Sequence, residues 1–233
     1  MSVPSIPQLP DGPPTATRAD AVKTRGRAAL GELRLAAEVT VGLIAFIWLV
    51  QGINVLDSYG LDGELGLRGR TLSSLPHILT MPFLHLGLAH IESNTPPLAL
   101  LTFLAVLGGL RRFLYAAAVI VVVGGLGTWL ITSSNTMVVG ASGLIFGLIG
   151  YLVARGLFAG ATWQAAWQIA IGVAVFIYYK WTLVLLYPSG IVNAMHISWQ
   201  GHLCGLLAGI LAAFLGRRRG GRRDSAPAPA GLS

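Results

Sequence analysis

Ser142 stands in the run Val138-Val139-Gly140-Ala141-Ser142-Gly143-Leu144-Ile145-Phe146-Gly147, at the opening of a hydrophobic segment. In an apolar helix a lone serine ordinarily bonds back to a carbonyl one turn earlier. At the first turn that carbonyl is missing, which leaves the hydroxyl available for chemistry. Gly140, Gly143 and Gly147 allow other backbones to come close. A serine hydroxyl is a poor nucleophile until a base takes its proton, and histidine is the usual base because it titrates near neutrality. His202, in Ser198-Trp199-Gln200-Gly201-His202-Leu203-Cys204-Gly205, is a candidate. Acyl transfer also needs donors for an oxyanion, and His90, Asn94 and the Ser142 amide are available.

His90 and Asn94 are four residues apart, on one helical face. Two polar side chains on a stripe of an apolar helix are costly, so they face a water-filled cavity or each other. The plainer reading is a packed, satisfied histidine. His85, in a continuous helix, would point about 140° away from His90. It reads as orienting the preceding loop, and no metal site is expected. Glu92 is expected to face headgroups, or Arg68 or Arg70, with no part in proton transfer.

The elements that carry these residues are apolar and long. The chain has 233 residues, 54% of them hydrophobic and 11% charged, the balance of a membrane protein. A bilayer-crossing helix takes roughly 20 apolar residues, and six stretches qualify: about 38–56, 84–110, 113–133, 141–158, 163–186 and 199–216. Because lipid offers backbone groups no partners, the spans must be helices, and the fold is an all-α membrane bundle. The second stretch is long enough to tilt or to begin outside the hydrocarbon. Thirteen of the 16 Lys and Arg fall on one side, leaving Arg68, Arg70 and Lys180 on the other. The positive-inside rule then puts both termini in the cytoplasm. The net charge of +7 is thus a topology signal with some attraction to anionic lipid, and no nucleic-acid partner is implied.

The expected organisation is a cytoplasmic, largely disordered basic tail (1–36), a membrane domain (37–216) and a basic, then Ala/Pro-rich disordered tail (217–233). Within the first tail, 24–37 could form a short helix at the headgroups. No cleaved signal peptide is seen. Segment 57–75 reads as an external loop lying partly in the outer leaflet, with Leu61, Leu65, Leu67, Leu72 and Leu75 against lipid. The aromatics Trp163, Trp167, Tyr178, Tyr179 and Trp181 read as interfacial belts. Cys204 is the single cysteine, so there is no intrachain disulfide, and it reads as a packing residue. Gly201, Gly205 and Gly209 make a smooth face with His202 beside it.

With that topology, Ser142, His202 and the His90–Asn94 pair all lie near the external ends of inward-running helices, at similar depth. A Ser–His pair must approach to about 3 Å, whereas helices bearing ordinary side chains sit about 8–10 Å apart. The glycines beside Ser142 and His202 supply the closer approach. No carboxylate accompanies His202 on its helix, so a dyad without a buried acid is expected. The Gly-x-Ser-x-Gly elbow of α/β-hydrolases is not met, since Leu144 occupies the final glycine position and no strand is expected before it.

These residues resemble the rhomboid intramembrane serine proteases: Gly140-Ala141-Ser142-Gly143 opening the fourth span, His202 followed by Gly205 in the sixth, and His90-x-x-x-Asn94 in the second. The resemblance covers about 38–216. It implies a six-transmembrane-helix rhomboid-like bundle with nucleophile Ser142, base His202 and oxyanion donors Asn94, His90 and the Ser142 amide, supported by Gly140, Gly143, Phe146, Gly201, Gly205 and His85. It implies further that 57–75 is the first external loop, and that the fifth span with loop 188–197 gates access. Substrates would be transmembrane helices cut near their external ends, where small or helix-breaking residues loosen them. No cofactor is implied, and the setting would be a bacterial plasma membrane with the site open to the extracytoplasmic side. One departure is Phe146, where many rhomboids have a tyrosine that stacks on the histidine; a phenyl ring can stack but lacks the hydroxyl bond. A rhomboid-like client-binding protein would be expected to lack the serine or histidine, and a transporter would need polar groups at several depths.

Overall fold

The computed structural model of the chain describes residues 18–134, 136–158 and 198–221, together with Ala166, Ala170 and Val173. Its elements run α1 (Arg18–Leu56), α2 (Gly60–Leu65), β1 (Leu67–Arg68), 3-10 turns at Leu72–Ile78 and Met81–Phe83, α3 (Leu88–Leu107), α4 (Leu110–Val119), a π turn (Ile120–Gly124), α5 (Gly125–Ile131), β2 (Met137–Val138), α6 (Ser142–Phe158) and α7 (Trp199–Gly221). The architecture is mostly helical, as the apolar runs require. Three stretches among the described residues are long and apolar enough to cross a bilayer: Thr24–Leu56, Leu110–Ile131 and Trp199–Arg217. Ser142–Leu157 is an apolar but shorter helix. The fifth expected span, 163–186, its aromatics and the 188–197 loop lie outside the described residues.

The leader differs from its expectation. Helix starts at Arg18 and runs without a break through α1, so residues 24–37 extend the first span rather than forming a separate surface helix. At 39 residues this helix is about 58 Å long, more than a bilayer core needs. Its basic first turns therefore project beyond the apolar part.

Segment 57–83 forms a cap built of short helical turns and one strand. β1 pairs antiparallel with β2, Leu67 opposite Val138 and Arg68 opposite Met137. Leu67 is fully buried in a small cluster with Ile78, Met81 and Val138, which corrects its placement against lipid; Leu72 is exposed. The Arg70 amide donates to the Trp129 carbonyl at 3.0 Å, its Nε to Thr132 O at 3.0 Å, and the Trp129 indole to Thr71 O at 3.0 Å. These bonds clamp the cap to the end of α5. They also occupy Arg70, and Arg68 donates to Gly63 O at 3.1 Å. Glu92 is exposed on α3, and the one ion pair among the described residues is Arg34–Glu38.

Lipid tails are as apolar as leucine, so helix association here rests on close packing rather than on escape from water. The main buried cluster joins Leu98, Leu101 and Ala105 of α3 to Leu148 and Leu152 of α6. Glycines bring α6 and α7 together. A Cβ on Gly205 would collide with the Gly143 backbone, one on Gly209 with Gly147, and one on Gly150 with the Leu206 carbonyl. The π turn joins the same junction, with Gly124 placed so that an added Cβ would sit 3.3 Å from the Gly205 Cα. A single wide turn of this kind shifts the helix register locally, and here it presents Gly124 to α7.

Candidate active site

The chain enters α6 under tight backbone control. Gly140 has φ +125°, a conformation side-chain-bearing residues avoid. Its amide donates to Met81 O at 2.9 Å. The next amide, of Ala141, donates to Nε2 of His85 at 3.4 Å, and the Ala141 carbonyl accepts the first α6 bond, from Ile145 N at 3.0 Å. Ser142 is thus the first helical residue, partly exposed, with β2 rather than a helical turn behind it. The short strand Met137–Val138 corrects the expectation that no strand precedes the serine. The elbow pattern still fails at Leu144.

His202 sits in the first turn of α7, whose start is fixed by Ser198: the Gly201 amide donates to Ser198 Oγ at 3.2 Å. Its ring is 3% exposed and stacks on Phe146, with centroids 4.4 Å apart and planes at 17°. Phe146 lies four residues after Ser142, on the same stripe of α6, so the stack holds the imidazole along the face that carries the serine. Between them the helix backbones touch: a Cβ on Gly143 would lie 3.3 Å from the Gly201 carbonyl oxygen. Phe146 therefore makes the ring contact open to a phenyl group.

His90 and Asn94 approach from α3. An added Cβ on Gly140 would lie 2.9 Å from His90 Nε2 and 3.9 Å from Asn94 Nδ2, so both side chains border the backbone just ahead of Ser142. Asn94 is 7% exposed, and its Nδ2 has no protein acceptor among the described residues. A buried, unused amide donor at this place has the chemistry of an oxyanion contact.

His85 departs from the continuous-helix geometry. α3 does not begin until Leu88, so His85 precedes the helix and no 140° rotation applies. It is fully buried, and its ring packs edge-on against His90 with centroids 5.1 Å apart and planes at 77°. It joins the Ala141 amide to His90. The Met81 carbonyl and Ser198 were not singled out by sequence; Met81 acts through its backbone, while Ser198 carries the ordinary signature of a helix N-cap.

A narrow cleft lies next to the start of α6, lined in part by Gly140, Gly143, Gly201, Gly205 and Thr128. Thr128 Oγ1 is turned onto Gly124 O at 2.8 Å, and Met81, Ile120, Val121 and Leu144 add apolar side chains to the glycines that line the cleft. Cys204 sits on the other side of α7, its Sγ 3.0 Å from where a Gly127 Cβ would be.

Residues 73–219 match the Rhomboid domain. Over 177 residues the chain is 40% identical to an uncharacterized protein of Mycobacterium tuberculosis, covering 74% of this chain and 71% of the relative. It is equally similar to an uncharacterized protein of Mycobacterium bovis. An uncharacterized protein of Mycobacterium leprae is 36% identical over 177 residues, 74% of this chain and 68% of the relative. The matched segment contains α3, α6 and α7 entire but for the last two residues, and the chain belongs to the rhomboid family, whose members are generally intramembrane serine proteases.

Proposed function

We propose that the protein is an intramembrane serine endopeptidase that cuts peptide bonds in or near the transmembrane helices of other proteins, with Ser142 as nucleophile and His202 as general base. The observation that carries this reading is the Phe146–His202 stack at 4.4 Å. It aligns the imidazole with the α6 stripe that begins at Ser142, in a place where Gly143 and Gly205 let the two helices meet backbone to backbone.

The reaction follows from those positions. His202 takes the Ser142 proton as Oγ attacks the scissile carbonyl carbon. The resulting oxyanion is met by Asn94 Nδ2, by His90 and by the Ser142 amide. His202 then returns the proton to the leaving amine as the C–N bond breaks, leaving an acyl ester on Ser142. Water, deprotonated by His202, attacks the ester carbon, and Oγ leaves with the proton. His85, Gly140 and Met81 position the serine rather than react. A small or helix-breaking residue near the scissile bond would free the substrate backbone to reach Ser142.

The same reading takes the membrane domain as six spans over 37–216, with both termini cytoplasmic and the site opening on the extracytoplasmic side of a bacterial plasma membrane. The three long apolar helices and the excess of arginine at one end support it. Purified protein in detergent should cleave a single-span substrate, and Ser142→Ala and His202→Ala should each leave only background. Cleavage by Ser142→Ala would refute the assignment; no cleavage by a folded parent across several substrates would favour a client-binding role.

A further inference from the structure

We propose that the turn joining α3 to α4 binds the phosphate of an anionic phospholipid headgroup through Arg111, Arg112 and Arg155. This inference rests on the membrane placement of the chain and is independent of the chemistry at Ser142.

α3, α6 and α7 all start near the candidate site and run away from it, so Gly108, Arg155 and Arg217 lie at the opposite end of the bundle. There Gly109, at φ +112°, turns the chain into α4, and Arg111 and Arg112 fall in the first turn of that helix. Cations are disfavoured at a helix N-terminus, because the unpaired amides already make that end positive. A third cation nevertheless converges on the same turn from α6. Arg155 donates from Nη2 to Gly108 O at 3.1 Å, and Arg112 donates from Nη1 to the same oxygen at 3.4 Å. Two guanidiniums thus share one neutral acceptor, while Arg155 Nη1 is buried with no protein acceptor among the described residues. Among the described residues no carboxylate pairs with them, the one ion pair there being Arg34–Glu38 on α1.

An anion with several oxygens is the partner this arrangement lacks. A phosphate diester accepts from guanidinium forks and is favoured by the amides of a helix N-terminus. The surroundings point to a lipid rather than free phosphate. Leu114, one turn after Arg111 on the same side of α4, is 54% exposed, which gives an acyl chain apolar surface beside the charge.

The test uses the full chain in zwitterionic detergent, with native mass spectrometry to follow binding of dioleoyl-phosphatidylglycerol and dioleoyl-phosphatidylcholine. Arg111→Gln/Arg112→Gln should weaken phosphatidylglycerol binding about 25-fold, at about fivefold per arginine, and leave phosphatidylcholine unchanged. Both side chains are exposed, so an unaltered melting curve should accompany the loss. Arg25→Gln/Arg27→Gln removes the same charge from exposed positions on α1 at the same end and should cost less than threefold. Equal losses from the two pairs would replace the site by diffuse attraction to an anionic surface. Equal binding of the two lipids, or displacement of the lipid by millimolar inorganic phosphate, would also overturn the proposal.

Discussion

Replacing Gly205 by alanine tests the central geometric argument, that catalysis depends on backbone contact between α6 and α7. The new Cβ would lie 2.9 Å from the Gly143 carbonyl carbon and 3.2 Å from its Cα, where carbon atoms settle at about 3.5–4.0 Å. The Gly143 carbonyl oxygen is nearer still, and the obstacle is backbone with no flexible tip to swing aside, so the helices must separate by roughly 1 Å at the level of Ser142 and His202. Overpacking of this kind costs about 1–3 kcal/mol of stability, which a folded bundle can survive. A misplacement of about 1 Å between reacting groups can cost about 100-fold in rate. We therefore expect Gly205→Ala to remain folded but to cleave a single-span substrate about 30- to 100-fold more slowly. Ser142 should also react more slowly with a fluorophosphonate probe, which isolates the acylation step. Two comparisons give the result its meaning. Gly201→Ala, one turn earlier, meets nothing nearer than Ser198 Oγ at 3.5 Å, and Gly216→Ala meets nothing within 4 Å. Both should stay within about threefold of the parent, the usual span for a change that misplaces nothing. If Gly205→Ala is as active as Gly201→Ala, the helix separation does not set the dyad and the reasoning fails.

Phe146→Ala should lower the turnover rate about tenfold with little change in KM, since an aromatic stack is worth about 0.5–1.5 kcal/mol; a rise in KM alone would assign Phe146 to substrate contact instead. Burial pushes the Asp62 carboxyl up, with the Asn54 side chain offsetting part of the effect. The folded state therefore keeps a proton that the unfolded chain gives up as pH rises above the ordinary aspartate range of about 4. Stability is present below that range and is lost as pH rises through the folded value, so Asp62→Asn should melt higher than the parent near pH 7.5, with the gap closing toward pH 4. A gap that widens toward acid would reverse the sign. Gln51 is 1% exposed, and neither of its amide atoms has a protein partner among the described residues, so Gln51→Leu should raise stability by about 1 kcal/mol in denaturant unfolding. A loss instead would mean that the amide is satisfied in solution.

The readability of this chain follows from the cost of polar groups in lipid. Ser142, His202, His90 and Asn94 stand out because each is a polar side chain in a long apolar run, and the glycines repeat at four-residue intervals that only a helix face explains. The cap formed by residues 57–83 carries no such contrast. Its order comes from backbone carbonyls and amides reached across large separations, such as Arg70 to Thr132, 62 residues apart, and from a ladder only two residues long. Neither leaves a periodic trace, and five leucines in a loop are as consistent with lipid as with a small core. His85 shows the same divide within three residues. As a letter it suggests a helix position opposite His90, yet extended backbone at Gly87 delays the helix and lets the imidazole take the Ala141 amide. The side chains proposed to react are thus marked in the sequence by their setting. The groups that aim Ser142, namely the Met81 carbonyl, the Ala141 amide and the left-handed turn at Gly140, are mostly main chain, and their arrangement exists only once α3, α6 and the cap have met.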